Sequence, residues 1–279
     1  MNSNCHLMIS CSFAASVFLF VSCADNSTTG PALNQRYPTT YARLSSDSLE
    51  TLNELFSQAN PRICTALNDF GFTVSWGTVT SCPRMRGRWA RDPQIESLID
   101  KAKVTLAQNS RFTGVKDPSS LSFSSARLLL SLQNDTLAFR VDFKPQIYQG
   151  LRVNDTDIRI MVDSVGIFSI MGNHYPEIFI PEPVVTPSQA QQSLLGEVII
   201  WYDFGGAPRE YVVSEESFSH DTLMADSTPG AVKMVLPHKT DKGNELRVVW
   251  RIDVDGPSWW MYVDIVTGEL LLTEQLFIT

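Results

Sequence analysis

A chain of 279 residues with 43% hydrophobic content has room for one large folded unit or two modest ones, and enough apolar side chains to give each a core. The formal net charge is −8, with no long run of one sign. That balance argues against general nucleic-acid binding, which needs a positive field.

The segment Leu7 to Val21 is apolar but short for a membrane span, and it ends in Leu19-Phe20-Val21-Ser22-Cys23. An apolar stretch closed by a small residue and then Cys resembles a bacterial lipoprotein signal. The resemblance implies removal of residues 1–22 and acyl chains on Cys23. It places the chain in the cell envelope, lipid-anchored, with the outer membrane (periplasmic or surface face) as the expected site and the bilayer as one partner. The competing reading is an ordinary cleaved signal in which Cys23 is incidental. Ala24 to Pro31 is small and polar with Gly and Pro, so residues 23–45 are expected to be a flexible tether, with order beginning near Ser46.

Five cysteines are present. Cys5 and Cys11 fall in the segment to be removed and Cys23 would carry lipid. This leaves Cys64 and Cys82 as an even pair in an oxidising compartment, expected to form a disulfide. Loop entropy assigns such a bond roughly 3 kcal/mol. Two buried free thiols are the alternative.

Ser46 to Ala59 has Leu49, Leu52, Leu55, Phe56 and Ala59 on one helical face, stopped by Asn60-Pro61. Phe70 to Ser81 reads as a short hairpin. Arg84, Arg86, Arg88 and Arg91 surround Trp89, the densest positive cluster of the chain. They offer a contact for an anionic partner, although local pairing with carboxylates in a solvated loop is the favoured reading. A second helix is expected from Asp92-Pro93, with Ile95, Leu98, Ile99, Ala102 and Leu106 on one face.

Past Arg111 come Gly114-Val115-Lys116-Asp117-Pro118 and two alternating runs split by Asn134-Asp135. Tyr148-Gln149-Gly150-Leu151-Arg152-Val153 follows, then a strand pair ending in Ser169-Ile170-Met171-Gly172-Asn173. Leu137, Phe139, Val141 and Phe143 alternate with polar residues, as do Ile158, Ile160 and Val162, the mark of half-buried antiparallel strands. Over roughly Asp92 to Tyr175 this order resembles the FTP (fungalysin/thermolysin propeptide) domain. Arg152 stands where that family has Pro, and the run Arg140 to Pro145 lacks its glutamine. Both departures bear on any contact with a cognate protease.

Pro176 to Thr186 contains three prolines and reads as a linker. A short helix opens at Thr186-Pro187. Strands are expected at 198–204, 209–213, 232–236, 246–254, 259–265 and 270–277. The last two, joined by Thr267-Gly268, resemble the closing hairpin of a PepSY domain. In metalloprotease precursors the protease follows that hairpin, whereas here the chain runs on only to Thr279, so no protease domain is expected.

The resulting expectation is an α+β protein of two cystatin-like units in tandem. Its parts are a signal peptide (1–22), a tether (23–45), N-terminal helices with an FTP-like domain (46–175), a linker (176–186) and a PepSY-like domain (187–279). No H-E-x-x-H, G-x-S-x-G or phosphate-binding loop occurs, and His6, His174, His220 and His238 are scattered. Neither an enzyme nor a cofactor is expected. Asp253, Asp255 and Asp264 could hold Ca²⁺ but are favoured as turn formers, so no metal site is assigned. Trp201, Trp250, Trp259 and Trp260 are favoured as core over a binding face. The family resemblance implies a module that binds a secreted metalloprotease or another exported protein in trans, as inhibitor or folding helper. A structural or regulatory envelope lipoprotein with an unrelated partner is the alternative.

Overall fold

A computed structural model describes residues 37–74, 89, 93–130, 136–202, 206–218, 230–254 and 259–276. Cys5, Cys11, Cys23, Cys82, the arginines at 84, 86, 88 and 91, Asp92, Asn134, Asp135 and Asp255 lie outside the described residues. The expectations that rest on them stay as stated.

The protein is α+β with antiparallel sheets. Helix α1 (Ser46–Ala59) is capped by Ser45, whose hydroxyl accepts from Ser48 N–H. Its expected apolar face buries only Phe56 fully, and Leu55 is left exposed. Helix α2 (Ile95–Gln108) starts later than expected, with Gln94 at the N-cap and no side-chain cap. Leu98, Ala102 and Leu106 are buried as their spacing requires, whereas Ile95 at the first turn is exposed. A one-turn helix α3 (Ser110–Thr113) follows.

Strands β2 (Phe123–Leu130), β3 (Thr136–Phe143), β6 (Ile158–Val162) and β7 (Ile167–Met171) make a four-stranded sheet in the order β2-β3-β6-β7. Between β3 and β6 lies a small ribbon, β4 (Ile147–Tyr148) and β5 (Leu151–Arg152). The α2 face packs on Val141, Phe143, Ile158, Ile160 and Ile170. Full burial contributes roughly 1.5–3 kcal/mol for each large side chain, so this face and not helix propensity holds α2 in place. Trp89 packs its ring edge-on against Phe139 at 5.9 Å, so the aromatic inside the arginine cluster belongs to this core. The outer edge of β7 is covered by the chain after α1. Cys64 N–H donates to Phe168 O and Ile170 N–H to the Thr65 hydroxyl. This covering matters because an open edge invites foreign strands.

The second sheet is built on β11 (Gly243–Val254), flanked by β10 (Ala231–Thr240), β12 (Trp259–Asp264) and, beyond β12, β13 (Leu270–Gln275). Helix α4 (Pro187–Ser193), with a complete capping box at Thr186 and Gln189, packs Ala190 against this sheet's Ile252 and Met261. A separate ribbon, β8 (Val198–Tyr202) and β9 (Pro208–Val212), lies in the same cluster through Ile199. Trp259 is buried, Trp201, Trp250 and Trp260 are half-buried, and the Trp250 indole donates to Val185 O at 2.8 Å.

The tether expectation fails from residue 37 onward. Residues Thr39–Ala42 form β1, which pairs antiparallel with 243–246 of β11. One edge of β11 is taken by β10 over 243–252. The other is divided between β1 (243–246) and β12 (249–254). Gly243 (φ +149) permits this, because a Cβ there would lie 2.3 Å from Tyr41 O. Val248 sits in the gap between the two partners, and its N–H donates to the Tyr37 hydroxyl at 3.0 Å. That hydroxyl donates in turn to Asp264 Oδ2 at 2.6 Å. A side chain thus completes the ladder where no strand reaches.

Asp264 is buried. Its Oδ1 accepts from Val266 N–H and Thr267 N–H, and its Oδ2 pairs with Arg247 at 3.2 Å. Arg247 also pairs with Glu245. Asp264 is therefore the turn former of the closing hairpin and a charge partner, and Asp253 pairs with Arg251 at 3.2 Å. Between the sheets, Tyr175, Ile178, Val153, Val235, Leu246, Val248 and Ile265 form a shared core, and Asn154 N–H donates to Val235 O. The Pro-rich stretch 176–186 is anchored at two points: Ile178 is buried, and Val184 and Val185 N–H donate to Ile265 O, although the Val184 side chain is exposed.

Candidate functional site

Three stretches that flank its strands meet at one end of the four-stranded sheet. They are 114–122, 144–148 and 174–176, and they line a cleft of about 300 Å³.

The first stretch begins at the end of α3. Gly114 takes the left-handed conformation (φ +68) and returns its N–H to Ser110 O. A Cβ at Gly114 would lie 1.9 Å from His174 O, so only glycine lets the third stretch approach this closely. His174 N–H donates to Thr113 O at 2.8 Å and fixes that approach. Asp117 then caps a short 3₁₀ turn (Pro118–Ser120), accepting from Ser119 N–H at 2.9 Å and Ser119 Oγ at 2.7 Å. These bonds hold its carboxyl below the usual carboxylate range.

The second stretch is the entry to the β4–β5 ribbon. Gln149 and Gly150 both have positive φ (48 and 83), the geometry of a two-residue hairpin turn. Gln146 grips the third stretch as a strand would: its amide donates to Tyr175 O and accepts from Tyr175 N–H, both at 2.8 Å. Asp142 of the run Arg140 to Pro145 is buried and paired with Arg140 at 3.0 Å, while Arg152 is exposed on β5. Ile147 is 64% exposed at the cleft rim.

The third stretch supplies His174 and Tyr175. Tyr175 is buried, packs against Tyr41 and Phe72, and accepts from the Asn244 amide at 2.7 Å. Burial raises its pKa, and it pushes Tyr41 up to about 12. His174 is buried and its Nε2 has no hydrogen-bond partner among the described residues. Desolvation pulls its pKa down to about 4, so the ring is neutral at physiological pH.

Two ammonium groups border the cleft. Lys116 lies 3.5 Å from Glu177, with both side chains well exposed. Lys144 is exposed; its backbone N–H donates to Ser122 O at 2.9 Å, and its ammonium has no ion-pair or hydrogen-bond partner among the described residues. Of the residues named from sequence, Cys64 is buried beside β7 and away from the cleft lining. His174 and Gln146 had no signal of their own in the sequence, because their roles depend on the close approach at Gly114. Among the described residues no group of three or more His, Cys, Asp or Glu is placed to hold a metal ion, and no helix is long and apolar enough to cross a membrane.

No family model matches the chain, and no curated protein matches it. Among solved structures, the Bacillus megaterium YpeB C-terminal domain is similar at 11% identity and a TM-score of 0.30, over 85% of this chain and 100% of that one. A likeness of that size carries no conclusion about activity.

Proposed function

We propose that this chain is a non-catalytic binding protein of the bacterial cell envelope, anchored through acyl chains on Cys23. It engages an exported protein in trans, with a secreted metalloprotease as the first partner to test and inhibition or folding assistance as the effect. The observation that supports this reading is the cleft at 114–122, 144–148 and 174–176. It is open, of mixed polarity and bordered by the exposed Ile147. Its imidazole contacts no hydroxyl, thiol or carboxylate through Nε2, so no activated nucleophile is assembled on that atom. Such a surface suits recognition better than turnover.

A standard interface of about 1,600 Å² would suffice for tight binding, although area alone does not set affinity. The test uses residues 23–279 titrated against thermolysin-like and fungalysin-like enzymes of the source organism, with the refolding yield of propeptide-less protease measured in parallel. The expected result is stoichiometric inhibition or improved yield. No effect in either assay leaves the alternative, an envelope lipoprotein with an unrelated partner.

A further inference from the structure

We propose that the cleft recognises an acidic side chain, flanked by apolar residues, within an extended segment of the partner. The proposal rests on the binding-module reading. Four observations carry it. First, Lys144 and Lys116 border the cleft against one lining carboxylate, Asp117, in a chain whose net charge is −8. Second, Asp117 is occupied by Ser119 through two hydrogen bonds, and the Lys144 ammonium has no partner among the described residues. The Lys116–Glu177 pair is exposed and long, hence weak and exchangeable for an incoming carboxylate.

Third, His174 lines the cleft with a buried Nε2 that lacks a partner in the free protein. Buried polar atoms are almost always satisfied, so an orphan on a residue that shares a cleft lining with two lysines suits a ligand that supplies hydrogen-bonding oxygens. Fourth, Val115, Leu121, Ile147 and Tyr148 give the cleft apolar walls. This apolar surface continues onto the exposed Ile147 at the rim, so an occupant that runs through gains contact that one ending in the cleft would lose. A carboxylate on an internal residue meets these conditions better than a chain terminus.

The experiment titrates isotope-labelled residues 23–279 with three peptides and follows backbone amide shifts. The peptides are acetyl-Leu-Glu-Leu-amide, acetyl-Leu-Gln-Leu-amide and acetyl-Leu-Gln-Leu with a free C-terminal carboxylate. Saturable shifts from the Glu peptide, confined to 114–122, 144–148 and 174–176, are expected, with the Gln amide at least fivefold weaker. Lys144→Gln, exposed and with no side-chain partner among the described residues to lose, should fold normally and bring the Glu peptide down to the Gln peptide, as a double-mutant cycle requires. Equal binding of the Glu and Gln amides, shifts centred elsewhere, or tightest binding by the free-carboxylate peptide would each overturn the proposal. Since no protease is present, failure here is separate from failure of the protease titration.

Discussion

Replacing Tyr37 with Phe removes one oxygen that does two jobs. The hydroxyl accepts from Val248 N–H at 3.0 Å and donates to the Asp264 carboxylate at 2.6 Å. Val248 and Asp264 are both fully buried, so water cannot replace the lost atom without opening the sheet. A buried donor left unsatisfied costs about 1–3 kcal/mol, and a hydrogen bond to a charged group is worth about 1.5–3 kcal/mol. The carboxylate keeps Arg247 and two backbone N–H groups, so the cost stays below that of a broken buried ion pair. The expected loss is about 3 kcal/mol, which in a unit of this size lowers Tm by roughly 6–12 °C. Tyr41→Phe is the control. Its hydroxyl donates to Glu177 O at 3.0 Å and accepts weakly from Glu177 N–H at 3.3 Å, and because Glu177 is exposed water can replace it, so the change should cost less than about 1 kcal/mol. Burial, followed by the bond to Asp264, raises the Tyr37 pKa far above its ordinary value, so the phenol is held neutral when folded. Its contribution is complete below pH ~10 and is lost as pH rises beyond that, a loss the Phe variant should not share. Thermal and urea unfolding, with hydrogen exchange at the Val248 amide, are the assays. A Tm within about 2 °C of wild type with unchanged Val248 protection would refute the reasoning.

His174 is held neutral with a pKa near 4 against 6.5 when unfolded, so its contribution is present above pH 6.5 and lost as pH falls toward 4. At about 1.36 kcal/mol per unit the loss is at most roughly 3 kcal/mol, and urea midpoints at pH 7 and 4.5 should differ less for His174→Gln than for wild type. Metabolic palmitate should label wild type and not Cys23→Ala, and equal labelling of both would remove the anchor. Peptide mapping of the exported protein without reductant should recover Cys64 linked to Cys82, and Cys64→Ser should lower Tm, with about 3 kcal/mol at stake by loop entropy. Alkylation of both thiols in the native protein would end that assignment.

Much of the fold was legible because its signals are local. The apolar spacing of α1 and its Asn60-Pro61 stop, the Thr186-Pro187 start of α4, the alternation in β3 and β6 and the Thr267-Gly268 turn are each local, and each element formed where its pattern placed it. Strand β1 escaped notice for the opposite reason. Thr39-Thr40-Tyr41-Ala42 has no strong alternation, and its partner lies about two hundred residues away, so only tertiary pairing makes it a strand. The late start of α2 likewise reflects packing. Ile95 lies outside the buried face that begins at Leu98, and the expected cap gave way to Gln94. At the cleft, Gly114, Gln149 and Gly150 were legible only as parts of two FTP-like phrases, and their positive φ is a finding of the structure. The burial of His174 and the grip of Gln146 on Tyr175 follow from a backbone approach that no local pattern encodes.

The divided edge of β11 also sets an order of events in folding. Strand β1 has no site until 243–246 exists as a strand, and the Tyr37 hydroxyl has no acceptor until Asp264 has been placed by the closing hairpin. Contacts across so long a stretch of chain form late, because loop-closure entropy must be overcome before they stabilise anything. The first described residues are thus among the last to be fixed. A chain interrupted before Leu246 would leave β1 without its ladder, however well the four-stranded sheet had already assembled.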